Sequence, residues 1–130
     1  MLNSAAREAF DRVFEEIVAE LPADVKRLLE ETPVILDDEP TDEQLEEVGI
    51  KPGKGDADLC GLHSGIPLNQ RSVWETPVMP GQIYLFRGPI FRIASGRPSV
   101  LRRQIQVTLL HELGHHFGFD HSKLKAMGYL

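Results

Sequence analysis

His111-Glu112-Leu113-Gly114-His115-His116-Phe117-Gly118-Phe119-Asp120-His121 closes the longest helical stretch of the sequence and fits the pattern HExxHxxGxxH at every fixed position. His111 and His115 stand four residues apart, so their imidazoles rise from one helix face on successive turns, the spacing at which two nitrogens grip one zinc ion. Glu112 sits beside the first of them and projects toward the edge of that face, where a carboxylate serves as general base toward a metal-bound water. Gly118 is free to take positive φ, which ends the helix and turns the chain back. His121 then arrives as a third nitrogen ligand. Three neutral imidazoles leave one tetrahedral position of zinc open, the arrangement of a catalytic and not a structural site. Peptide or amide hydrolysis is the chemistry such a site supports.

Chance does not explain the pattern. With His at roughly 2% and Glu at roughly 6% of positions, HExxH alone arises in under about one in a hundred chains of this length, and the added Gly and His lower that by several hundredfold. The plain alternative is a buried helix whose histidines serve only the core, and it leaves polar groups there at a cost of several kcal/mol without partners.

Upstream of the motif, Pro98 opens a helix that runs to about Phe117 and is apolar on most sides through Leu101, Ile105, Leu109, Leu110 and Leu113. A helix apolar nearly all round is central and buried. Nearer the start, Phe10, Val13, Phe14, Ile17, Val18 and Leu21 recur at helical spacing from about Ser4 to Leu21, which predicts an amphipathic helix packed on a core. Pro22 opens a second helix ending near Glu31, and Thr32-Pro33 stops it. Val34-Ile35-Leu36 reads as a short buried strand. Thr41 and Gln44 form a capping box for a short helix closed by Gly49. Lys51 to Asp58 is expected to be a surface loop, and Leu59 to Leu68 and Gln82 to Phe86 are strand candidates, the second rich in residues favoured on pleated surfaces. Arg87-Gly88-Pro89 is expected to end that strand, ahead of a helical piece around Ile90 to Ala94.

The chain has 130 residues and a net charge of −6, which predicts one domain over residues 1–130. Residues 1–60 carry 17 acidic and 6 basic side chains, and residues 61–130 carry 3 and 8, so either the two halves attract each other or the acidic half is simply a solvated face. The acidic total argues against a phosphate-backbone partner, although the basic second half leaves one open. Arg87, Arg92, Arg97, Arg102 and Arg103 form either one basic surface or partners for the acidic half. Arg102 and Arg103 in the first turn of a helix stand on electrostatically poor ground, which implies anionic neighbours. Cys60 is the single cysteine, so no intrachain disulfide is expected. With no membrane-length apolar run, and an N-terminus without a basic start and apolar stretch, a cytoplasmic protein is expected.

At the motif the chain resembles the zincin metallopeptidases, and a third histidine after glycine is similar to their metzincin branch. The stretches Gly61-Leu62-His63-Ser64-Gly65-Ile66-Pro67-Leu68-Asn69-Gln70-Arg71-Ser72-Val73 and Ile83-Tyr84-Leu85-Phe86-Arg87-Gly88-Pro89-Ile90 extend the resemblance to a small bacterial family of minimal zincin-like metallopeptidases, over about residues 34–125. In that family the position matching His121 is commonly acidic, so the histidine departs toward the metzincin pattern. The resemblance implies an α+β zincin-like fold with a small mixed sheet, N-terminal helices, a buried active-site helix and a cleft along an edge strand. It implies Zn2+ as cofactor and a peptide or protein as substrate. Gln82 to Phe86 is the candidate for the cleft strand, where an extended substrate adds main-chain hydrogen bonds, or else it is an ordinary core strand. Met127 and Tyr129 have the order of a metzincin Met-turn with an oxyanion-stabilising tyrosine, or else pack as an ordinary C-terminus.

Other residues have plainer readings. His116 points to another face and is expected at the surface or supporting a ligand, not as a fourth ligand. Asp120 either fixes a ligand imidazole's tautomer or stabilises the turn. His63 is not expected to ligate, and Cys60-Gly61 lacks the flanking residues of a proenzyme thiolate latch, leaving a small buried hydrophobe. Two other functions fit the metal residues: a non-catalytic metal-binding module, and RNA processing. The pattern HxxxHxxGxDH of a bacterial rRNA-maturation metalloprotein family also reads here, as His111, His115, Gly118, Asp120 and His121. That family lacks the glutamate after its first histidine, so Glu112 and the acidic total favour a peptide substrate over nucleic acid.

Overall fold

A computed structural model describes residues 2–52, 59–64, 81–118 and 122. Their elements are α1 (Ser4–Glu20), α2 (Ala23–Glu30), β1 (Val34–Asp37), α3 (Asp42–Glu47), β2 (Gly61–Ser64), β3 (Gln82–Phe86), α4 (Arg87–Ala94) and α5 (Pro98–Phe117). Local chemistry sets most of their ends. Asn3 caps α1 by accepting from the Ala6 N–H at 2.8 Å. Thr41 and Gln44 close the expected capping box in both directions, at 3.1 and 2.8 Å. Pro98 occupies the first turn of α5, and Gly118 ends it in the left-handed conformation at φ 74°, where a Cβ would clash.

The expected small mixed sheet is present, in the order β1-β3-β2. β1 runs parallel to β3, with Val34 opposite Ile83 and Leu36 opposite Leu85. β2 runs antiparallel to it, with Gly61 opposite Leu85 and His63 opposite Ile83. Gln82–Phe86 is therefore an ordinary central strand, one of the two readings of the sequence, and not the edge strand of a cleft. Its apolar run reads equally well as either, and pairing order is decided by tertiary packing. Because strand side chains alternate and partners share a face, Val34, Leu36, Ile83, Leu85, Gly61 and His63 all line one face of the sheet.

α5 lies against that face, touching β2 and β3, and against α4 and α1. The core joins Phe10, Ile17, Leu21 and Val25 from the N-terminal helices to Ile83, Leu85, Ile90, Ile105, Leu109, Leu110 and Leu113. Thus α5 is central, as its nearly all-round apolar surface predicted. α4 begins at Arg87, three residues before the expected helical piece. Pro89 needs no N–H in a first turn, and the Gly88 N–H donates to the Asp38 carbonyl at 2.8 Å. A Cβ on Gly88 would run into the Glu39 carboxylate.

The attraction between the two halves of the chain resolves into named pairs. Arg102 donates to Glu16 and Glu20, both at 2.8 Å, joining α5 to α1 and giving Arg102 the anionic neighbours its position required. Arg92 grips Glu39 at 2.9 and 3.0 Å. The Arg87 side chain, 12% exposed, donates to both Asp11 oxygens at 2.9 Å and to Asp38 at 3.1 Å. Arg7 holds the other Asp38 oxygen at 2.8 Å. Exposed pairs contribute about 0–1 kcal/mol each, whereas removing the nearly buried Arg87 leaves two carboxylates short of a partner. Arg87→Met is expected to lower unfolding free energy by about 2 kcal/mol in urea titrations, less than for a fully buried pair.

Hydrogen bonding from Arg7, and then from Arg87, holds the Asp38 carboxyl below its ordinary range despite some burial. Its stabilisation is therefore complete above the unfolded value of about 3.9 and disappears as pH falls through the lower folded value. The stability difference between the wild type and Asp38→Asn should be largest near neutral pH and shrink below about pH 4, measured by urea midpoints at each pH.

Candidate metal centre

The last two turns of α5 carry the centre. His111 and His115 present their rings edge to face, with centroids 4.5 Å apart. Their nitrogens and a Glu112 carboxylate oxygen all lie within 4.8 Å of one another. The helix spacing thus does what the sequence required, gathering two imidazoles and one carboxylate at one end of a helix that the core holds rigid.

The three groups differ in environment. Glu112 is 8% exposed, and burial pushes its carboxyl up to about 7. The His115 side chain is 54% exposed, so solvent reaches the site from that side. Its imidazole is held below its ordinary value by partial burial and then by the neighbouring His111 ring, which favours the neutral form that ligates metals. The Glu112 Oε1 to His115 Nδ1 distance of 3.6 Å is too long for a hydrogen bond. The donor atoms of all three lie close around a common space. Two imidazole nitrogens with a carboxylate oxygen at hand match the borderline preference of zinc, so the residues present fit the ion.

Behind Glu112 stands β2. A Cβ placed on Gly61 would lie 2.6 Å from Thr108 Cγ2 and 3.0 Å from Glu112 Cγ, so only glycine lets the strand lie so close to α5. His116 is 5% exposed and shares a 2.9 Å hydrogen bond between its Nδ1 and His63 Nε2. It is not a surface residue as one reading of the sequence had it; α5 is covered on this side by the sheet. His63 is not among the grouped atoms of His111, Glu112 and His115, and its bond to His116 carried no sequence signal across 53 positions. The one available hint was the two-residue alternation that sets Gly61 and His63 on the same face. Cys60 is only half-buried and packs against the core. His121, Asp120, Met127 and Tyr129 lie outside the described residues.

No helix among the described residues is long and apolar enough to cross a membrane. No curated protein matches the chain. The model of the zincin-like metallopeptidase family matches residues 29–129, from the end of α2 through the whole metal centre. With a mixed three-stranded sheet laid on a central helix, and a His-Glu-His group at the end of that helix, the chain belongs to the zincin-like metallopeptidases.

Proposed function

We propose that the chain is a zinc-dependent peptidase in which His111, His115 and His121 hold the metal and Glu112 is the general base for hydrolysis of a peptide or amide bond. The observation that carries this reading is the buried Glu112 carboxyl beside two imidazoles, one of them open to solvent. Zinc, when bound, polarises the carbonyl under attack and makes water nucleophilic near neutral pH. Glu112 would take the proton of the attacking water and deliver it to the departing amine. β2 is paired on one side only among the described residues, so an extended substrate would add along its other edge by main-chain hydrogen bonds.

RNA processing finds less support. Arg87, Arg92 and Arg102 are engaged by Asp11, Asp38, Glu39, Glu16 and Glu20, which removes much of the basic surface a phosphate backbone requires. The test is incubation of the zinc-loaded chain with a broad peptide library, read by mass spectrometry. Cleavage that stops on chelation and returns with zinc is expected; stoichiometric zinc with no cleavage would leave a non-catalytic metal module. For the third ligand, His121→Ala is expected to weaken zinc by at least about tenfold in a competition titration, since even supporting residues of zinc ligands are worth about 10–100-fold. Unchanged affinity would move the ligand elsewhere.

A further inference from the structure

Gly61 and His63 are two residues apart on β2 and face α5 together, opposite Leu85 and Ile83 of β3. Thr108, Glu112 and His116 are four apart on α5 and form one stripe of that helix. The two rows meet rung by rung. Gly61 abuts Thr108 and Glu112, and His63 bonds His116 at 2.9 Å. Two strand residues advance about 6.8 Å and four helical residues about 6 Å, so the strand and the helix keep step over this length, and anchoring one rung sets the next. Glu112 stands between the two anchors.

The histidine pair is enclosed on a third side. A Cβ on Gly81, just ahead of β3, would lie 2.8 Å from His116 Nδ1 and 3.0 Å from His63 Nε2. In that enclosure one ring donates and the other accepts, which requires complementary tautomers. The rings cross edge to face with centroids 4.9 Å apart. The bond grips α5 two residues before its Gly118 cap, in the turn where a helix has run out of internal partners for its carbonyls.

Neither ring belongs to the His111, Glu112 and His115 group. We propose that His63 is a positioning residue: through its hydrogen bond to His116 it fixes the rotation and axial position of the last turns of α5 on β2, and so sets where the Glu112 carboxylate stands relative to His111 and His115. This rests on the zinc-peptidase reading above.

The test compares His63→Leu, which removes the bond, with His63→Gln, whose amide reaches the place of Nε2. Both are made in the full chain and loaded with Zn2+ for kinetics and with Co2+ for visible spectra. His63→Leu is expected to lower kcat by about 10–100-fold, the range for supporting residues of metal sites, with KM little changed, and to alter the Co2+ bands. His63→Gln is expected to restore kcat to within about threefold and to give wild-type bands. Leu and Gln variants that behave alike, or a Leu variant with wild-type kcat and spectrum, would overturn the proposal. Should the wild type cleave no peptide, the peptidase reading fails while the Co2+ spectra still decide the role of His63. Should His63→Leu not fold, coupling between the imidazole nitrogens of 15N-histidine-labelled wild type reports the bond itself. Its presence, with wild-type bands in His63→Gln, supports the proposal, and its absence overturns it.

Discussion

Glu112→Gln is expected to keep one zinc per chain and to lose about 10²–10⁴-fold in kcat, the range a positioned general base contributes. The substitution preserves volume and burial, so the contact with Gly61 and the course of α5 should persist. What it removes is the ability to take a proton. Loss in kcat with little change in KM is the signature of an interaction made only in the transition state. Elemental analysis of the same preparation guards against a trivial loss of metal. Turnover close to wild type would assign the proton transfer to another group.

Phe10→Ala is expected to reduce unfolding free energy by about 3–5 kcal/mol, the usual cost of emptying a buried aromatic site. Phe10 is fully buried and meets Phe91 edge to face at 5.6 Å, while the Arg87 guanidinium lies over its ring at 5.9 Å. The side chain therefore ties α1 to α4 and to the ion-pair cluster at Asp11 and Asp38. Against a typical total of about 5–15 kcal/mol the loss is large. Urea unfolding should show a lower midpoint at unchanged slope. A loss below about 1 kcal/mol would mean that α1 is an accessory to the core. That outcome bears on the family relation too, because α1 precedes the matched segment of residues 29–129 yet contributes Phe10 and Ile17 to the core around α5.

The parts of the fold legible in the sequence are those set by local chemistry. Pro98 and Gly118 bound α5 because one tolerates a first turn and the other a left-handed cap, and Thr41 with Gln44 announces α3. The charge asymmetry left open whether the acids of the first half form a solvated face or partner the arginines of the second, and the pairs of Arg87, Arg92 and Arg102 decide for partnership. Spacing alone brought His111, Glu112 and His115 together, since a helix leaves four-residue neighbours no other choice. The neighbours of a strand are not so constrained. Nothing in Gln82–Phe86 distinguishes a central strand from an edge, and the answer came from β1 and β2 closing on both its sides. The start of α4 was hidden for a related reason: Arg87-Gly88-Pro89 reads as a stop, and becomes a helix start only because Asp38 offers its carbonyl to Gly88. His116 depended on tertiary structure in the same way, because its burial is decided by where β2 lies.

The most direct test of a metal centre at the end of α5 is anomalous scattering at the zinc edge, from crystals of protein purified without added metal. One zinc ion on nitrogens of His111, His115 and His121, with the Glu112 carboxylate beside it but outside the ligand set, is the expected result. A zinc-free chain, or an ion bound away from these imidazoles, would contradict it.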